Sequence, residues 1–176
     1  MNHLIVVLFG VNILLGCADS HRLVRNDIAS EVKLAKTDSI YVAVSNDGLY
    51  GSHTYVRSDL NSSQIILAAF AKRSKRAEMG NVHQEVKEAL QYATTNSFRY
   101  LVYPTILHWE DRRTEWSGIP DKVEIKIEVI EATKGNVIDS VIIKGKSGWA
   151  TLGGDHPQDL LPKPVEDYVA SLYATE

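Results

Sequence analysis

Residues 123–129 set the strongest constraint on the fold of this 176-residue chain. Val123, Ile125, Ile127 and Val129 alternate with Glu124, Lys126 and Glu128. A period of two puts the aliphatic set on one face of an extended strand and the charges on the other. Such a strand needs partners at its edges and an apolar layer against one face only. "TKGN", residues 133–136, turns the chain, and "VIDSVIIKG", residues 137–145, returns as the hairpin partner. The rest of the chain has to supply the covering layer.

It does so with a mixture of elements. "SIYVAVS", residues 39–45, holds the short apolar run Tyr41–Val44, the pattern of a strand buried on both faces. "FRYLVYPTILHW", residues 98–109, is a long aromatic and branched strand. Pro104 within it lacks an N–H and predicts a bulge or an edge. A first helix is expected from Asn61, with Gln64 in capping-box spacing and Ile65, Ile66, Ala69 and Phe70 as its buried stripe. A second repeats the spacing with Asn81 and Gln84, then Val86, Ala89, Leu90 and Ala93. "KRAEMG" between them reads as a short edge strand. A last helix starts at Pro164 and lines up Val165, Tyr168, Val169 and Leu172. Helices early and a meander late indicate an α/β (α+β) domain. Its mixed sheet has about four to five strands with helices packed on it, and a late antiparallel hairpin. Residues 39–176 make one such domain.

The N-terminus reads as an address. Leu4 to Leu15 is almost continuously apolar, too short for the ~20 residues of a membrane-crossing helix and suited to a signal peptide. Leu14, Leu15, Gly16 and Cys17 resemble the bacterial lipoprotein signal, with Gly16 giving the peptidase access and the Cys17 thiol as acyl acceptor. The resemblance implies diacylglycerol on the Cys17 sulfur and cleavage between Gly16 and Cys17, leaving palmitate-type chains as a membrane anchor. An ordinary cleaved signal, or a buried helix with an inert cysteine, is the alternative. Residues 1–16 are then the signal, and 17–38 a lipidated cysteine and polar tether. Ala18 after the cysteine favours the periplasmic face of the outer membrane. Cys17 is the only cysteine, so no internal disulfide forms.

A net charge of −3 offers no global attraction for nucleic acid. No cofactor or metal motif appears: HExxH, H-x-x-x-H and clustered-cysteine spacings are missing. Three runs hold the functional groups. In "HWEDRRTEWSG", residues 108–118, His108 and Glu110 share a strand face. With Asp111 and a distant His156 they form the candidate set for acid–base catalysis, while Trp109 and Trp116 are candidates for binding. The bland alternative is a solvated turn with packed tryptophans. In "GWATLGGDHPQDLLP", residues 148–162, Asp155 or His156 caps a helix whose first turn holds Pro157, and Asp155 is a weak binding candidate. In "DGLYGSHTY", residues 47–55, Tyr50, His53 and Tyr55 follow the first buried strand, where open α/β sheets bind ligands. "KRSKR", residues 72–76, suits a helix C-terminus.

With "DGLYG", "RYLVYPTILHWEDRRTEWSG", "DKVEI", "GNVIDS" and "WATLGGDHPQDLL" in view, the chain resembles a family of small proteobacterial lipoproteins whose shared domain has no assigned function. The resemblance implies a location and transfers no site residues. The element order is more loosely similar to the N-terminal domain of TolB, to the curli secretion lipoprotein and to lipoprotein activators of penicillin-binding proteins.

The leading functional expectation is a non-enzymatic periplasmic module, held on the membrane by its lipid and binding a protein partner. An envelope hydrolase using His108, Glu110, Asp111, Asp155 and His156 is the alternative. A strand-built membrane pore fits poorly, because the aliphatic face of residues 123–129 is needed for the core.

Overall fold

The computed structural model describes residues 19–25, 33–111, 120–148 and 156–174. Among these residues are eight strands: β1 (Ser20–Arg25), β2 (Ser39–Val44), β3 (Gly48–Tyr50), β4 (His53–Tyr55), β5 (Arg76–His83), β6 (Tyr100–Glu110), β7 (Lys122–Glu131) and β8 (Asn136–Lys146). Three helices join them: α1 (Ser58–Ala71), α2 (Val86–Thr95) and α3 (Pro162–Leu172), with a 3-10 turn at Pro157–Leu160. The main sheet has six strands in the order β1-β8-β7-β6-β2-β5, and β3–β4 form a separate hairpin. β2 lies parallel to both β5 and β6, and the other pairs are antiparallel, so the sheet is mixed.

The alternation in β7 works as read. Val123, Ile125, Ile127 and Val129 are buried with Ile40, Val42 and Ile143 under α1 and α3, whose Phe70, Tyr168 and Leu172 join the same cluster. A smaller cluster on the opposite face packs α2 onto the sheet through Ala89, Ala93, Tyr41, Leu101 and Tyr103. α2 covers one end of that face. The other end carries Glu124, Lys126, Lys144 and their neighbours in water. The β7–β8 turn uses Gly135 at φ +70°, a left-handed angle that glycine adopts without a Cβ penalty.

Several boundaries differ from the sequence expectation. The stretch read as a tether contains β1, which pairs with β8 from Ser20↔Lys146 to Arg25↔Val141. A polar composition suits an edge strand as well as a tether, since one side and one face meet solvent. Leu34, in the same stretch, is buried, and its N–H donates to the Leu172 carbonyl at 2.9 Å. Sheet and core therefore begin before residue 39, and the main sheet has six strands rather than four to five.

Helix α1 starts at Ser58, not Asn61, with Arg57 as its N-cap at φ 74°. Its first turn is capped from a distance: Asp47 Oδ1 accepts from Ser58 Oγ at 3.2 Å and from the Asp59 N–H at 3.3 Å. The Asn81–Gln84 pair closes β5 instead of opening α2. That helix is capped by Glu85, whose backbone N–H donates to Glu88 Oε2 at 3.2 Å. The edge strand expected at residues 75–80 exists and runs on to His83. α3 begins at Pro162, two residues ahead of Pro164. The β2–β6 pairing ends at Val102, so Pro104 sits where its missing N–H breaks no ladder on that side. The bulge comes later, between Ile106 and His108.

Candidate functional site

The far end of β6 gathers most of the candidate residues and divides them between two faces. The bulge at Leu107 sets the phase, and beyond it His108 and Glu110 point to the open face while Trp109 turns to the core. His108 Nε2 lies 3.1 Å from Glu110 Oε2, and Lys122 Nζ, directly across on β7, lies 3.3 Å from the same oxygen. The Glu110 side chain is only 2% exposed, and both partners help to compensate its buried charge. Tyr50 stands edge-on to the His108 ring at 5.4 Å. Tyr50 and, at the bulge, Leu107 are both exposed.

On the core side, Trp109 is buried against Gly48: a Cβ on that glycine would fall 2.6 Å from Trp109 Cβ. Only glycine lets β3 approach so closely. The Tyr55 hydroxyl is 3.3 Å from both the carbonyl oxygen and the N–H of Asp111, and His53 stacks edge-on to Tyr55 at 4.5 Å. The Asp111 carboxylate lies 3.4 Å from His156 Nδ1. His53, Tyr55, Asn61, Trp109, Asp111 and His156 line one crevice of about 390 Å³.

The four catalytic candidates thus form two pairs, His108–Glu110 and Asp111–His156, on opposite faces of β6. No hydrogen bond or ion pair links one to the other among the described residues. His156 caps the 3-10 turn, its N–H donating to Asp159 Oδ2 at 3.0 Å, which is the capping role read from sequence. Among the described residues no group of three or more His, Cys, Asp or Glu is placed to hold a metal. Gly16, Cys17, Trp116 and Asp155 lie outside the described residues.

Residues 32–172 match the family described as "Domain of unknown function (DUF4823)". The chain belongs to the DUF4823 family. The match spans β2 to α3, hence both residue pairs and all of the core cluster but Tyr173; β1 precedes it. No curated protein matches this DUF4823 chain in sequence. Among solved structures it is similar to PelC from Paraburkholderia phytofirmans, crystallised as a dodecamer, with TM-score 0.67 and 14% identity over 90% of this chain and 99% of PelC. It is also similar to protein XCC0632 of Xanthomonas campestris, of family DUF330, with TM-score 0.50 and 10% identity over 82% and 93% of the two chains. Lipoprotein GNA1162 of Neisseria meningitidis aligns at TM-score 0.48 and 12% identity over 76% and 99%. At these identities the property shared with PelC and XCC0632 is the fold.

The sequence did not point to three features of this DUF4823 domain. Lys122 as the second partner of Glu110 follows only from the β6–β7 register. The exposed Leu107 follows from the bulge. The third is a buried cluster in which Asp139 on β8 takes Arg25 from β1 and the Tyr168 hydroxyl from α3. Burial, and then the Asp139 charge, hold the Tyr168 phenol protonated far above the usual tyrosine range. No helix among the described residues is long and apolar enough to cross a membrane.

Proposed function

We propose that this DUF4823 protein is a lipid-anchored, non-enzymatic module of the bacterial cell envelope that binds a protein partner on the periplasmic side of the outer membrane. The observation that carries the non-enzymatic reading is the division of the candidate groups. Glu110 is buried and engaged by His108 and Lys122 on the open face, Asp111 meets His156 on the other, and the four groups do not converge on one opening. The envelope location is supported by the L-L-G-C run ending in Cys17 and by Ala18 behind it. The partner surface is the open edge of β5, which has a neighbour on one side only and exposes Val82 at 63%, with Val86 exposed at the start of α2. An unpaired eight-residue edge accepts a further strand through main-chain hydrogen bonds.

A second copy of the chain is the partner that the PelC dodecamer favours, since β1 and β5 are both open edges among the described residues, and head-to-tail contacts between them form a ring where the rotation closes. Photo-cross-linking in cells from Val82 tests both forms. An adduct at twice the chain mass identifies a second copy, and a reproducible adduct of another mass identifies a different protein. No reproducible adduct from Val82 refutes this surface. Intact-mass measurement of the membrane fraction tests the anchor, and an unprocessed start or a bare Cys17 thiol refutes it.

A further inference from the structure

The open face of the sheet at the Ser20 end of β1 carries two pairs of like charges set directly across from one another. Lys122 on β7 faces Lys146 on β8, and Lys144 on β8 faces Arg22 on β1. Like charges in directly opposed positions destabilise a sheet unless a counter-charge is present. Two of the four cations have one: Lys122 lies 3.3 Å from Glu110, and Lys144 Nζ lies 2.9 Å from Glu124. Arg22 and Lys146 have no carboxylate partner among the described residues. All four line a cleft of about 270 Å³. Four fixed cations against Glu110 and Glu124 leave the cleft net positive. An anion set between Arg22 and Lys146 relieves both repulsions.

The covalent map says which anion is close. Ser20, the first residue of β1, pairs with Lys146 and is three residues from Cys17. Three extended residues span at most ~10 Å, so a lipid on Cys17 holds this end of the sheet against the bilayer surface rather than on a long leash. His108 also lines the cleft, and the exposed Tyr50 stands edge-on to its ring, with the exposed Leu107 next to it in the chain. A basic rim with such a fringe matches the headgroup region of an anionic membrane.

We propose that this end of the domain docks on anionic lipid, with Arg22 and Lys146 meeting the lipid phosphates; the proposal rests on the Cys17 anchor set out above. The test uses the full lipidated chain, in which Cys17 is blocked by its acyl group and an introduced cysteine is the sole free thiol. A fluorophore is placed at Ser20→Cys, directly opposite Lys146, and, as a control on the opposite sheet edge, at Glu78→Cys. Each chain is reconstituted into phosphatidylethanolamine vesicles containing either phosphatidylglycerol or phosphatidylcholine, with a headgroup-attached quencher.

The expected result is quenching at position 20 that is stronger in phosphatidylglycerol than in phosphatidylcholine vesicles. The excess is lost at high salt, where the screening length falls from about 8 Å at 0.15 M to about 3 Å at 1 M. Adding Arg22→Glu and Lys146→Glu to the Ser20→Cys chain removes it, and position 78 stays unquenched throughout. Quenching at 20 that is equal in both lipids, or no greater than at 78, overturns the docking. Intact mass of the same samples separates the docking from the anchor beneath it: a lipidated Cys17 with an unquenched label removes the docking alone, and a bare Cys17 removes the anchor and the docking together.

Discussion

Arg25 Nη2 lies 2.6 Å from Asp139 Oδ2, and this contact ties the first strand of the sheet to the helix that closes the core. Asp139 is buried, and its other oxygen accepts the Tyr168 hydroxyl at 2.9 Å, so one carboxylate joins β1, β8 and α3. A buried carboxylate that loses a charged partner keeps its desolvation cost. Arg25 is partly exposed, so Arg25→Ala is expected to cost about 2 kcal/mol, below the ~3–5 kcal/mol of a fully buried pair. Urea unfolding measures the loss. Limited proteolysis of the same variant is expected to cut within residues 20–25 while sparing the rest of the sheet.

Gly48 supports the β3–β4 hairpin only because it has no side chain. A methyl group at this position would come within 2.6 Å of Trp109 Cβ and 3.0 Å of Ile106 Cγ2, which leaves no room for alanine. Gly48→Ala is expected to destabilise by about 1–3 kcal/mol, the usual range for overpacking. It also changes the near-ultraviolet circular dichroism of the tryptophans. An unchanged spectrum and an unchanged urea midpoint would show that β3 does not depend on this approach.

Around Glu110 the two ways of breaking the cluster are unequal. Glu110→Gln leaves Lys122 and His108 free to turn toward water, and is expected to cost about 1 kcal/mol. Lys122→Met leaves a charged carboxylate buried with one partner fewer, and is expected to cost about 2–3 kcal/mol. Denaturant midpoints of the two single variants and the double variant measure the coupling. If the lysine variant is the milder one, the carboxylate takes its support elsewhere.

Alkaline pH probes the opposite side of the core. Tyr168 has a folded pKa raised above its ordinary value of 10, first by burial and then by Asp139. A raised pKa means that the fold favours the protonated phenol, so this contribution is complete below that value and is lost as pH climbs above it. Tyr41, Tyr103 and Tyr173 are shifted in the same direction, burial being the first cause in each. Stability followed by urea unfolding is therefore expected to fall as pH rises beyond about 10. Tyr168→Phe lowers stability at neutral pH by roughly 1 kcal/mol through the lost hydrogen bond and makes the alkaline fall shallower.

The parts of this fold that were legible in the sequence are those written in local periodicity. Val123 to Val129 announced a half-buried strand, and Val165, Tyr168, Val169 and Leu172 announced the buried face of α3; both lie where expected. Features set by distant partners were not legible. The start of α1 depends on Asp47, 11 residues and a hairpin away, so the nearer Asn61 drew attention instead. β1 carries a polar face and a free edge, and only its pairing with β8 distinguishes it from a linker. The same division holds at the candidate site. His108 and Glu110 share a face by simple alternation, whereas Lys122 needs the strand register and His156 needs the whole chain to bring it to Asp111.

The pairing of β1 with β8 also fixes an order of events. Arg25 and Asp139 are 114 residues apart, and strand contacts over such separations form late because a long loop must close before they contribute. A chain threaded N-terminus first across a membrane presents β1 long before β8 has emerged. A chain exported in that direction would hold its leading segment unpaired until β8 arrived to receive it.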